Sequence, residues 1–518
     1  MSNLYSILEA NFPADRSACA IESRGAGEPL FYSWADLHHG SGRIANLLAA
    51  LNLPAGSRLA AQVDKSVEAL MLYLACLRAG IVYVPLNTAY RKAEVEYFIG
   101  DAKPAVVVCT PANFSWVGKA AFCGGAEVVY TLGDDRGGTL LDRAAHHADD
   151  FVTVDRADAD LAVLLYTSGT TGRSKGAMLS HGNMASNALA LRSLWGWHLA
   201  PDGTPAERDT LLHALPLFHI HGLFVAAHGA LIAGAKQIFL PRLDPAAILD
   251  LLPRCTVMMG VPTYYVRLLA EPGLTPERCA GMRLFVSGSA PLLKETFELW
   301  RERTGHVILE RYGMSETVMN TSNPYDGDPA LRKPGTVGPA IPGVGVRVVD
   351  GRTDQPLPAG EIGDIQISGP NVFGGYWQMP DKTAESFTAD GWFRTGDVGR
   401  LDDDGYLSIV GRSKDLIITG GYNVYPKEIE SFIDEMPGVA ESAVIGVPHA
   451  DFGEAVVAVV VPRPDAVVDE AALIAALKAG IANYKVPKRV FTVDELPRNT
   501  MGKVQKNLLR ERFGAGAD

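Results

Sequence analysis

At 518 residues the chain exceeds what one hydrophobic core supports, and two to four domains are expected. Its formal net charge of −12 excludes nucleic acid and anionic membrane as principal partners, because both select basic surfaces. Six scattered cysteines form no CxxC pair and stand near no His at ligand spacing, which points to reduced thiols in a cytoplasmic protein. No run of eighteen apolar residues occurs, and the first eight residues lack the order of a signal peptide, so neither a membrane span nor secretion is expected.

Through the first 270 residues, short β-rich runs alternate with helical patterns. Residues 67–78 carry apolar side chains at helical spacing, whereas 82–86, 105–109 and 161–167 are apolar runs bounded by turn formers and are predicted as buried strands. This alternation predicts parallel sheets covered by helices. Between 335 and 410 Gly and Pro rise and strands shorten, which predicts a small β-rich subdomain. After Gly411 the texture changes again. Ile429, Phe432, Ile433 and Met436 form an i, i+3, i+4, i+7 stripe, predicting an amphipathic helix over 427–436 that Pro437-Gly438 stops. Strands over 439–447 and 455–461 and a helix over 470–481 complete an α+β unit of about 100 residues, and 514–518 read as a disordered tail. The expected fold class is α/β: a large N-terminal domain of parallel-rich sheets with a small β-rich subdomain, over 1–411, followed by a small α+β domain over 415–518.

Residues 166–176, YTSGTTGRSKG, follow a predicted buried strand. Glycines let the backbone approach a ligand and turn its N–H groups inward; Ser and Thr hydroxyls add donors, and Arg173 and Lys175 add charge. Such a loop suits nucleotide phosphates. Ser174 stands where the P-loop pattern requires glycine, which excludes a conventional P-loop NTPase.

Further strings follow in order: LPLFHIHG (215–222), SGSAPL (287–292), YGMSET (312–317), TGD (395–397), GRSKD (411–415), GGYNVYPKE (420–428) and PRNTMGK (497–503). Together they resemble the adenylate-forming superfamily of acyl-CoA synthetases, luciferases and peptide-synthetase adenylation domains, over most of the chain from Tyr166 onward. The resemblance implies an AMP-forming acid–thiol ligase: ATP adenylates a carboxylic acid, and the thiol of coenzyme A then displaces AMP.

It also implies roles. Thr167, Ser168, Gly169, Thr170, Thr171, Gly172 and Lys175 would hold the phosphates, and Gly288, Ser289, Ala290 and Tyr312 would sandwich adenine, with Thr317 at the same nucleotide. Asp397 and Arg412 would hold the ribose, and Glu316 with Thr167 would bind Mg²⁺ between the phosphates. Lys503 would offset the charge that builds when a carboxylate meets the α-phosphate. The small domain would then swing about a hinge at 412–414, centred on Lys414, to present Gly420, Gly421 and Tyr422 to the pantetheine arm of coenzyme A. A lysine acyltransferase and a deacylase acting on Lys503 would be regulatory partners.

The acid is indicated by Arg311, immediately before YGMSET. In many relatives a small residue lines the acyl pocket there; an Arg would shorten the pocket and offer a fork for a second carboxylate, unless it pairs with an acid such as Glu310. ERYGMSE, with SGSAPLL before it and NTSNPYDGD after it, resembles the malonyl-CoA synthetases, which implies malonate and methylmalonate as substrates. Arg283 and His221 are expected to complete the anion site. The alternatives are a synthetase for another small acid and a stand-alone adenylation module loading a carrier protein.

Overall fold

The computed structural model describes residues 3–25, 27–167, 174–197, 209–419, 422–449, 451–499 and 502–514. A six-stranded sheet, with valine-rich strands buried on both faces at its centre, runs in the order Val128–Thr131, Val106–Cys109, Arg58–Gln62, Val82–Pro85, Leu161–Tyr166, Gly176–Ser180. All its pairs are parallel except the last. A second sheet has eight strands: Thr321–Ser322, Leu309–Tyr312, Leu284–Ser287, Val257–Gly260, Thr210–His213, Lys236–Phe239, Cys19–Ser23 and Leu30–Ser33. It is parallel in its middle and antiparallel at both edges.

Helix Val67–Ala79 is buried along nearly its whole length. An apolar surface all round is what a helix sandwiched in a core requires. Ser66 caps its start by accepting from the Ala69 N–H, and Gly80, at φ +68°, ends it in the left-handed conformation. The expected strands and helices appear with ends moved by a residue or two. Helix 427–436 is observed as Pro426–Asp434, and strand 439–447 runs on to His449.

The β-rich subdomain is an antiparallel sheet of Gly345–Val349, Gly363–Ser368, Phe393–Leu401 and Leu407–Arg412. From Arg412 the chain makes one 3-10 turn, Ser413–Asp415, and enters a five-stranded C-terminal sheet. Helices Pro426–Asp434 and Glu470–Gly480 pack on one face of that sheet and Lys506–Phe513 on the other. The small domain touches the large one away from this turn as well. Arg463 Nη2 donates to both carboxylate oxygens of Glu295 at 2.8 and 2.7 Å, and Gly502 lies against Thr263. Of the predicted tail, 515–518 lie outside the described residues. Among the described residues no helix is long and apolar enough to cross a membrane.

Candidate active site

The strands Thr210–His213, Val257–Gly260, Leu284–Ser287 and Leu309–Tyr312 run parallel, and the expected site residues gather beyond their carboxyl ends, where open α/β sheets bind ligands. Register pairs Ser287 with Glu310, which sets Gly288 beside Arg311. A Cβ on Gly288 would lie 2.5 Å from the Arg311 guanidinium carbon, so only glycine leaves that side chain its place. Ser289 takes a left-handed backbone, φ +72°, with its hydroxyl 3.3 Å from His221 Nδ1.

Arg311 is only 3% exposed, and its Nε and Nη2 have no hydrogen-bond partner. Burial lowers its pKa to about 9. Among the described residues no acid forms an ion pair with it. Glu310 alternates to the other face of the strand, where Oε1 accepts from the Leu292 N–H at 3.0 Å and burial raises its pKa to about 7. The expected alternative of an Arg311–Glu310 salt bridge is therefore not what forms.

His221, wholly buried, also has an unpartnered ring nitrogen, Nε2. Burial, and then the Arg311 charge, hold its pKa well below the ordinary imidazole value. Burial with the charges of Lys503 and Arg311 takes His219 to about 3. Both rings are neutral and face the same cation. His219 was not singled out in the sequence, although it stands in the same FHIHG string.

Arg283 does not join this group. It precedes strand Leu284–Ser287 at its amino end, where Nε and Nη2 donate to the two Asp209 oxygens at 2.7 and 2.6 Å and Nη1 to the Trp195 carbonyl. Its expected place in the anion site is corrected: a fully satisfied ion pair holds it at the other end of the strand.

The Tyr312 hydroxyl donates to Asp397 Oδ2 at 2.5 Å, and Arg412 Nε lies 2.9 Å from Asp397 Oδ1. Asp397 and Arg412 are cross-strand partners in the subdomain sheet. Their mutual attraction raises the Arg412 pKa. Glu316 is buried and accepts from the Tyr376 hydroxyl at 2.9 Å; burial raises its carboxyl despite that bond and the nearby Lys175 charge. The Lys175 amine stands 4.1 Å over the Tyr376 ring. Tyr376 was missed, and the only signal was an aromatic pair inside the Gly374–Trp377 string.

The Thr167 N–H donates to the Lys175 carbonyl, closing the base of the phosphate loop. Thr317 is buried with an unpartnered hydroxyl. Lys503, half-buried, feels Arg412, Asp397, Glu316 and Arg311, and burial is the main reason its pKa falls below the ordinary value. Ser168, Gly169, Thr170, Thr171 and Gly172, like Gly420 and Gly421, lie outside the described residues. Tyr422 is 58% exposed and stacks on Tyr484 at 4.5 Å, within the small domain. Lys414 is exposed in the Ser413–Asp415 turn; partial burial and then the charge of Arg412 bring its pKa to about 8.

Comparison with known proteins identifies the family. The family of AMP-binding enzymes matches residues 9–377, and the AMP-binding enzyme C-terminal domain matches 428–503. ATP-bound MatB from Rhodopseudomonas palustris is 56% identical over 100% of both chains with a TM-score of 0.95, whereas the apo form of the same protein gives 0.84. A feruloyl-CoA synthase from Amycolatopsis is 36% identical over 97% of each chain. A malonate–CoA ligase from Arabidopsis thaliana is 34% identical over 88% of this chain and 78% of its own length. With family models covering both parts of the chain and relatives matched over nearly their full length, the chain belongs to the AMP-binding enzymes and is an adenylate-forming CoA ligase.

Proposed function

We propose that this ligase acts in the cytoplasm on malonate, and also on methylmalonate, giving the acyl-CoA, AMP and pyrophosphate. The observation that carries the reading is the buried Arg311 guanidinium, with Nε and Nη2 unpartnered, beside neutral His219 and His221. A short dicarboxylate offers one carboxylate to ATP and a second to that fork. A monocarboxylate leaves the cation unpaired, which lowers turnover by about a hundred- to ten-thousand-fold. The likenesses to MatB and to the malonate–CoA ligase support the choice. One methyl group alters binding by only about 1–3 kcal/mol, so both acids are accommodated.

In the proposed mechanism Thr167, the 168–172 segment and Lys175 hold the phosphates, Tyr312 with Gly288, Ser289 and Ala290 holds adenine, and Asp397 with Arg412 holds the ribose. Thr317 buttresses the nucleotide pocket. Attack of the free carboxylate on the α-phosphate brings two anions together, and the Lys503 ammonium offsets the charge that develops. Glu316 is a buried carboxylate disfavoured by its surroundings, which suits a hard divalent cation, and with Thr167 it would hold Mg²⁺. Bound there, Mg²⁺ would neutralise phosphate charge. The thiol step requires the domain at 415–518 to turn about 412–414, with Lys414 at the pivot, and to bring Gly420, Gly421 and Tyr422 to coenzyme A. Only when the domain turns does Lys503 come free for an acyltransferase, and a deacylase would restore it.

The test is pyrophosphate release with ATP, Mg²⁺ and coenzyme A, comparing malonate, methylmalonate, succinate and acetate for the wild type and Arg311→Ala. Turnover confined to malonate and methylmalonate, and lost in Arg311→Ala, is expected. Turnover of acetate untouched by the substitution would sink the dicarboxylate assignment and leave the ligase intact.

A further inference from the structure

Lys65 is a half-buried amine that none of the steps above uses. It follows strand Arg58–Gln62 of the six-stranded sheet, and among the described residues no acid forms an ion pair with it. Its Nζ lies 2.7 Å from His213 Nδ1, donates to the His213 carbonyl at 2.6 Å, and stands 4.7 Å from the Phe239 ring centroid. His213 ends strand Thr210–His213 of the other sheet, so this one side chain bridges the two sheets.

The far side of the His213 ring identifies its tautomer. Nε2 lies 2.9 Å from the Gly222 carbonyl, which can only accept, so Nε2 carries the proton and Nδ1 is left to accept from Lys65. Burial, and then the neighbouring amine, hold the ring neutral. Only glycine fits at 222, because a Cβ there would fall 2.0 Å from the Pro216 carbonyl oxygen. Gly222 is the second residue of a π-helical turn, His221–Ala227, whose first residue is the pocket histidine. Short π segments of this kind re-aim side chains at functional sites.

We propose that Lys65 and His213 form a positioning relay for the acid pocket: the Lys65 N–H fixes the His213 tautomer, His213 pins the Gly222 carbonyl, and the pinned turn aims His221 at the acid. Neither relay residue touches the acid; both act through the backbone of the turn. The proposal rests on the reading of His221 as a wall of the acid pocket.

The experiment measures KM for the acid and for ATP in the wild type, Lys65→Met, His213→Leu and the double variant. Each single substitution is expected to raise KM for malonate about tenfold, the worth of one lost buried hydrogen bond, with KM for ATP unchanged within about twofold. The double variant should be no worse than the worse single, since both interrupt one chain. Lys65→Arg, which keeps a donor for Nδ1, should recover most of the loss. Equal rises in both KM values, or penalties that multiply in the double variant, would overturn the relay. If Lys65→Met does not fold, His213→Gln carries the test: its amide still reaches Gly222 without an Nδ1 acceptor, and an acid KM at the wild-type value would remove Lys65 from the scheme. Should the wild type activate a different acid, the malonate reading fails, while the same variants test the relay with that acid.

Discussion

Arg311 occupies its buried position because residue 288 has no side chain. A methyl group there would meet the guanidinium at 2.5 Å, closer than real Cβ contacts come, so Gly288→Ala has to displace Arg311 or move the strand that carries it. The acid should feel this before the nucleotide does. Gly288→Ala is expected to raise KM for malonate at least about tenfold, as overpacking costs typically 1–3 kcal/mol, with a smaller rise in KM for ATP. Steady-state titration of each substrate separates the two, and an ATP effect exceeding the acid effect would return Gly288 to a purely adenine-facing role. At this scale the sequence carried Arg311, Glu316, Asp397 and Lys503, because each sits inside a string whose neighbours identify it. It misplaced Arg283, since one-dimensional spacing does not reveal which end of a strand faces the ligand. It passed over His219, although that residue stands in a recognised string, and over Tyr376, whose neighbours mark no motif; their partners, Arg311 and Glu316, come from distant segments.

Among elements, Glu22 joins three cations from three segments. Its carboxylate is wholly buried on strand Cys19–Ser23 and binds Arg24 from the same segment, Lys236 from strand Lys236–Phe239, and Arg254 from the turn Leu252–Arg254. Burial alone would raise its pKa, but hydrogen bonds from Arg254, Lys236 and Arg24 bring it down to about 2. Because the folded value lies below the unfolded value of about 4.3, the carboxylate stabilises the fold fully above that value and loses its contribution as pH falls toward 2. Glu22→Gln should therefore lower stability at pH 7 by about 2–3 kcal/mol, discounted because the three cations reach solvent. Denaturant melts at pH 7 and pH 3 provide the check, and a deficit as large at pH 3 as at pH 7 would assign the loss to packing. The apolar strands of the six-stranded sheet, such as Val82–Pro85 and Val106–Cys109, were legible because burial on both faces leaves only apolar residues. The antiparallel edges and the π-helical turn His221–Ala227 were not, since pairing direction and an extra residue per turn leave no period in the sequence.

For the whole molecule, the amino-acid sequence carries no signal for which orientation the small domain adopts. Lys503 is turned toward Arg412, Asp397, Glu316 and Arg311, while Tyr422 stays out on its own domain against Tyr484. Under the role proposed for Lys503 that is the adenylation orientation, and the chain overlays on ATP-bound MatB at a TM-score of 0.95 against 0.84 for its apo form. Far from the Ser413–Asp415 turn, the Arg463–Glu295 ion pair spans the two domains and must break for the small domain to rotate. Both side chains are nearly half exposed, so the pair is worth at most about 1 kcal/mol and shifts the orientation balance about fivefold at most. Arg463→Gln should slow pyrophosphate exchange by up to about that factor while leaving, or slightly speeding, thioester formation from preformed acyl-adenylate. High salt should erase the difference in the first half-reaction, because the pair is open to screening. The charge-exchanged double variant, Arg463→Glu with Glu295→Arg, should restore it. Equal slowing of both half-reactions would show that the ion pair supports the small domain's own fold instead of its choice of orientation.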